Sequence, residues 1–117
     1  MQKIKVYEKP TCTTCRKVVK ALMDNGVDFE KVNYYIEPFS KEKLQSLLTK
    51  MKMKPSDILR KNEKVYKELK FKEKNYTEDQ ILGLMIKHPD LVQRPIVQKG
   101  SKAMLARPPE RILELLK

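Results

Sequence analysis

Cys12 and Cys15, in the run PTCTTCRK at residues 10–17, are the residues here best suited to covalent or redox chemistry. Two thiols at this spacing can form a reversible disulfide, supply half of a metal site, or act as one working nucleophile beside a neighbour. A metal site needs four ligands, and beyond the cysteines the one soft candidate is His88, ahead of Pro89. That histidine equally suits the last turn of a helix, so no metal is expected. Cys12 falls between an apolar–polar alternation and a helical pattern. Unpaired backbone N–H groups and the helix dipole at such a point favour a thiolate, and can bring a thiol from about 8.5 into roughly the 3.5–7.5 range. Cys15, one turn further in on the same face, is a possible resolving thiol for a mixed disulfide on Cys12.

The second candidate group is a set of arginines. Of 26 basic residues only five are arginine, namely Arg16, Arg60, Arg94, Arg107 and Arg111. A surface kept in solution by lysine gains nothing from the exchange, whereas a planar guanidinium fork holds an oxyanion at two points. Arg60, Arg94 and Arg107 lie beside expected helix or strand boundaries and are the candidates for an anion site.

The elements that must position these groups are short. Ile4 to Tyr7 reads as a strand, and from Cys12 a helix is expected with Val18, Val19, Leu22 and Met23 on one face. Asn25-Gly26 ends it, and the alternation from Val27 to Tyr35 reads as a second, parallel strand, which completes a βαβ unit. A helical block follows: Ser40 capping a helix to Met51, a turn from Pro55 with Ile58 and Leu59, and a brief helix with Val65, Tyr66 and Leu69. A further helix opens on the Thr77/Gln80 capping box and ends at His88, since Pro89 cannot continue it. Ile96 to Gln98, a Lys99-Gly100 turn and Lys102 to Leu105 read as a hairpin, and Pro109 opens a last helix.

At 117 residues the chain is read as one domain, with the helical insertion at about 40–90. Its net charge of +11 raises the question of nucleic acid. The lysines are spread along the chain and interleaved with acids, without an arginine block or aromatic ladder, so direct nucleic-acid binding is not expected. No segment is apolar enough to span a bilayer, the charged start MQKIKVYEK shows no secretion signal, and two cysteines suit a reducing compartment. The cytoplasm is the expected location.

Four stretches in order, YEKPTCTTCRK, ILRKNEKVYKEL at 58–69, HPDLVQRPIV at 88–97 and ARPPERILELL at 106–116, resemble the glutaredoxin-coupled arsenate reductase family. Relatives of that family include the Spx-type transcription regulators. The resemblance implies an α/β, thioredoxin-like fold with an inserted helical segment. It makes Cys12 the nucleophile and Arg60, Arg94 and Arg107 the arginines that hold arsenate, with no bound cofactor. Glutathione and glutaredoxin are the implied electron donors. The Arg94-Pro95 bond is expected to be cis and to face the nucleophile.

Two positions depart from the family's reductases. Glu8 stands where a histidine is common, and a charged carboxylate close by would oppose the thiolate. Cys15 completes a C-x-x-C pair more usual in the regulators. The alternative implied function is therefore a redox sensor that binds the α subunit of RNA polymerase through a Cys12–Cys15 switch.

Overall fold

The computed structural model describes residues 4–9 and 11–116, which fall into two compact units, Met1–Glu37 with Arg94–Lys117, and Pro38–Gln93. The first unit is a four-stranded sheet with helices. Strand β1 (Ile4–Glu8) leads through helix α1 (Thr13–Asp24) to β2 (Phe29–Asn33). Strands β3 (Ile96–Lys99) and β4 (Lys102–Leu105) form a hairpin, and the chain closes on a 3-10 turn at Pro109–Arg111 and the short helix α5 (Ile112–Leu115). The order across the sheet is β2-β1-β3-β4, with β1 parallel to β2 and antiparallel to β3. The parallel pair needs a crossover, and α1 supplies it. This is the thioredoxin-like arrangement expected from the sequence.

One core holds the sheet, α1 and α5 together. Ile4 and Val6 of β1, Val18 and Leu22 of α1, Val97, Ala106, Ile112 and Leu115 form a single buried cluster. Cys15, Val18 and Leu22, spaced three and four apart, are the wholly buried row of α1. Met23 was expected on that face but is 66% exposed, and Val19 is half-buried. Each lies about 100° of helical rotation beyond a buried residue, so the stripe is narrower than the apolar sequence suggests.

The α1 stop lies where expected. Asn25 Nδ2 donates to the Ala21 carbonyl at 2.7 Å, and Gly26 takes the left-handed conformation at φ +64°. Strand β2 is shorter than the alternation suggests and ends at Asn33. There the Asn33 side chain accepts from the Tyr35 N–H at 3.0 Å, and its carbonyl accepts from Ile36 and Glu37. This Asx turn takes Tyr34 and Tyr35 out of the ladder.

The second unit contains α2 (Lys41–Met51), α3 (Lys64–Glu68) and α4 (Glu78–Lys87), with 3-10 turns at Pro55–Ile58 and Pro89–Leu91. Ser40 caps α2 by accepting from the Lys43 N–H, and Thr77 and Gln80 close a reciprocal capping box on α4. Helix α4 packs against α2 and both 3-10 turns, burying Leu44, Leu47, Leu48, Ile58, Leu82 and Met85. A bridge between Leu59 and Val92, with Arg60 N–H donating to the Leu91 carbonyl at 2.8 Å, ties the start of the 60s to the end of the unit. Among the described residues no helix is long and apolar enough to cross a membrane.

Candidate active site

The strand directions in the first unit gather the chemistry at one end of the sheet. Strands β1 and β2 run in parallel, so the ends of both, Glu8 and Asn33, lie side by side. Strand β3 runs the other way, which brings its start, just after Arg94-Pro95, to the same end; Tyr7 pairs with Ile96. Strand β4 returns antiparallel to β3, with Ile96 opposite Leu105, and delivers Ala106 and Arg107. Four segments far apart in sequence thus finish together.

Cys12 occupies the N-cap of α1. Its N–H donates to the Lys9 carbonyl at 2.9 Å, which closes the loop after β1. Its Sγ accepts from the Cys15 N–H at 3.4 Å, the cap position in which a side chain satisfies an unpaired amide of the first turn. The helix begins at Thr13, so Cys12 is its cap and not its first residue. Both cysteines are free thiols, Cys12 half-buried and Cys15 wholly buried.

Their titration is driven apart. Burial pushes the Cys12 thiol up, but hydrogen bonding from the Cys15 side chain and backbone and the nearby Arg94 guanidinium outweigh it, so Cys12 lies below the ordinary thiol range. Cys15 is pushed up to about 12, first by burial and then by donating its S–H to Cys12, with the charges of Cys12 and Glu8 adding to the effect. One thiol is thereby prepared to ionise and the other to stay protonated.

Arg94 is 7% exposed, a strongly buried guanidinium. Burial alone would lower its pKa, but Tyr34, Tyr35 and the Cys12 thiol outweigh that and raise it. Its Nη1 lies 3.5 Å from the Tyr35 hydroxyl, and its Nε is buried without a hydrogen-bond partner. A buried donor left open in this way suits an acceptor brought by a ligand. Arg107 is exposed, and its Nη1 donates to the Arg94 carbonyl at 2.9 Å, so these two arginines are in direct contact. The Arg94-Pro95 bond is cis as expected, and so is Arg107-Pro108, which the sequence reading did not foresee. Arg60 belongs to the second unit. There its Nε pairs with Glu63 at 3.1 Å and its Nη1 donates to Gln93 Oε1 at 3.3 Å.

Glu8 is 5% exposed and on the same face of β1 as Ile4 and Val6. Burial raises its carboxyl, while Lys31 on β2 pulls the other way. It lines a cleft of about 400 Å³ with Arg16, Val19, Lys31 and Asn33. A group shifted this way opposes an adjacent thiolate less than an ordinary carboxylate would, and Cys12 remains below the thiol range.

Sequence reasoning missed the tyrosines. Tyr34 is buried and stacks on Tyr35 with ring centroids 5.1 Å apart, and the Lys9 ammonium sits 4.9 Å from the Tyr35 ring centroid. Aromatic residues are only 7% of the chain, so an adjacent Tyr pair directly after a strand was the available signal.

A mixed four-stranded sheet with a thiol capping its first helix and a cis-proline directly ahead of its third strand defines a thioredoxin-like thiol protein. Within that class the chain belongs to the ArsC family, whose model matches residues 7–115. The chain is 34% identical over 116 residues to the Escherichia coli K12 protein YfgD, covering 98% of each chain. It is also 34% identical to an arsenate reductase of Acidiphilium multivorum, covering 99% of this chain and 82% of the relative. Among solved structures, an arsenate reductase from Vibrio cholerae superposes with a TM-score of 0.90 at 29% identity, covering 97% of each chain.

Proposed function

We propose that this chain is a cytoplasmic thiol-dependent reductase of arsenate. The observation that carries this reading is Cys12, a half-buried helix-cap thiol below the ordinary range beside the buried guanidinium of Arg94, whose Nε has no partner. The Cys12 thiolate attacks the arsenic of arsenate and one oxygen leaves as water, giving an arseno-thiol. Arg94 and Arg107 hold the remaining oxygens, since charge builds on them as sulfur attacks, and Arg60 is the further cation that the family resemblance implies. A glutathione thiol then couples with the Cys12 sulfur, arsenic takes the two electrons and leaves as arsenite, and glutaredoxin returns the mixed disulfide to the thiol. No bound cofactor is needed, because both electrons come from thiols.

The test is arsenite production from arsenate with glutathione and glutaredoxin, each omitted in turn. Production that requires Cys12, glutathione and glutaredoxin supports the reading. A protein that forms no arsenite with glutathione and glutaredoxin both present overturns it.

A second reading is favoured by one observation, the Cys15 N–H directed at Cys12 Sγ with both thiols free. In it the pair is a redox switch and the partner is the α subunit of RNA polymerase. Capture of purified α subunit that changes between the reduced and oxidised protein, without arsenate turnover, supports this reading against the first.

A further inference from the structure

The second unit carries a cleft of about 490 Å³ between residues 61 and 73, inside the roughly 300–1,000 Å³ range of small-molecule sites. One wall is aromatic. Tyr66 and Phe71 stack nearly parallel, with centroids 4.8 Å apart and planes at 14°, and Tyr76 braces Phe71 from 4.9 Å at a tilt of 58°. Tyr76 is itself anchored, its hydroxyl donating to the Leu69 carbonyl at 2.8 Å. Lys61, Lys67, Lys70 and Lys72 line the rest with Asn62, against the single carboxylate of Glu73.

Three features distinguish this from an ordinary solvated lysine face. Nearby acids are engaged elsewhere, Glu63 by Arg60 and Glu68 by Lys64. Among the described residues none of the four lining lysines is in an ion pair, so their charges are not neutralised within the cleft. Lys70 holds a left-handed backbone at φ +55°, a conformation that glycine adopts at no steric cost. Here it turns the chain so that Phe71 comes back onto Tyr66 and a cation stands at the cleft. Four cations against one carboxylate call for a ligand with more than one negative charge, and a flat ring wall calls for a planar group. Lysine, a compact point charge, suits a phosphate.

We infer that this cleft binds a mononucleotide-sized ligand, its base against the Tyr66–Phe71 wall and its phosphate among the lysines. The site is independent of Cys12 chemistry and of the proposed arsenate reduction.

The chain has no tryptophan and five tyrosines, so tyrosine fluorescence with equilibrium dialysis on the full protein reads occupancy. The probes are AMP, adenosine, inorganic phosphate and a short single-stranded oligonucleotide. AMP is expected to saturate, to weaken with salt, and to bind at least about tenfold more tightly than adenosine or phosphate, because stacking and charge both contribute. The Tyr66→Leu variant and a Lys67→Gln/Lys72→Gln double variant should each weaken AMP at least about fivefold, with the circular dichroism and Cys12 alkylation rate of the parent. The lysine variant, at exposed positions, keeps the test open if loss of Tyr66 disturbs the fold. Phosphate binding as tightly as AMP, unchanged AMP binding in the lysine variant, or no saturation at millimolar AMP overturns the inference. So does an oligonucleotide that binds far more tightly than AMP, which would make the cleft part of a strand groove.

Discussion

Two chemically identical side chains three residues apart behave as opposites because one caps α1 and the other is buried in its first turn. Alkylation of Cys12 measured against pH should therefore titrate below a free cysteine, and Cys12→Ser should abolish it while the fold stays intact; an ordinary or raised midpoint defeats the activated-thiol reading. Cys15 should resist the reagent until near pH 12. Its raised value also has a consequence for stability. The native state keeps the Cys15 proton after the unfolded chain has lost it, so stability present below about pH 8.5 drains away as pH rises towards 12, at up to about 1.4 kcal/mol per pH unit. Denaturation midpoints of the parent should fall more steeply across that window than those of Cys15→Ala; parallel curves would show that Cys15 does not contribute. Cys12 works in the opposite sense, since a lowered thiol contributes stability above the unfolded value and loses it as pH falls through its own. In turnover, Cys15→Ser should retain most glutathione-supported arsenate reduction but lose the oxidised form two daltons lighter. If it abolishes turnover instead, the protein resolves its own intermediate.

At the scale of elements, the ends were legible because caps are local chemistry. Ser40, Thr77 with Gln80, and Asn25-Gly26 each satisfy orphan backbone groups with residues a few positions away, and the structure shows all of them in use. Thr77→Ala should cost about 1 kcal/mol and lower the melting temperature by about 4 °C, read by calorimetry. Gly26→Ala should cost about 1–2 kcal/mol. Nothing lies within 4 Å of the added Cβ, so the cost is the left-handed backbone and not a clash. The faces were less legible. Met23 continues the apolar run of α1 yet lies in solvent, because burial depends on what packs against the helix and not on its own pattern. The true end of β2 depended on one Asx turn at Asn33, which alternation cannot detect.

On the scale of the molecule, the proposed anion site would draw on charge of two kinds. A net charge of +11 draws oxyanions from a distance, and this long-range part is screened by salt. The KM for arsenate should rise with ionic strength, and sulfate should slow Cys12 alkylation competitively. In the proposed site the short-range part belongs to the guanidinium forks. Arg94→Lys should lower kcat/KM by at least about tenfold although charge is conserved, because two-point holding is lost and Cys12 loses its buried partner. Arg107→Lys removes the contact to the Arg94 carbonyl and should reduce kcat/KM by a smaller factor. An Arg94→Lys enzyme as active as the parent would remove Arg94 from the reading.

By itself, the sequence determined the nucleophile candidate, the scarcity of arginine among many lysines, the capping residues and the order of elements. Each of these is set by residue type or by neighbours within one or two helical turns. Only the tertiary structure decided that Glu8, Cys12, Tyr35, Arg94 and Arg107 share one end of the sheet, because that follows from the direction in which each strand pairs with the next. It also decided that Cys12 lies below the ordinary thiol range with Glu8 nearby, that Arg94 is buried with an open Nε, and that Tyr34 and Tyr35 stand beside it. Burial and through-space charge depend on groups tens of residues away in the chain, and such distances are set only when the sheet closes.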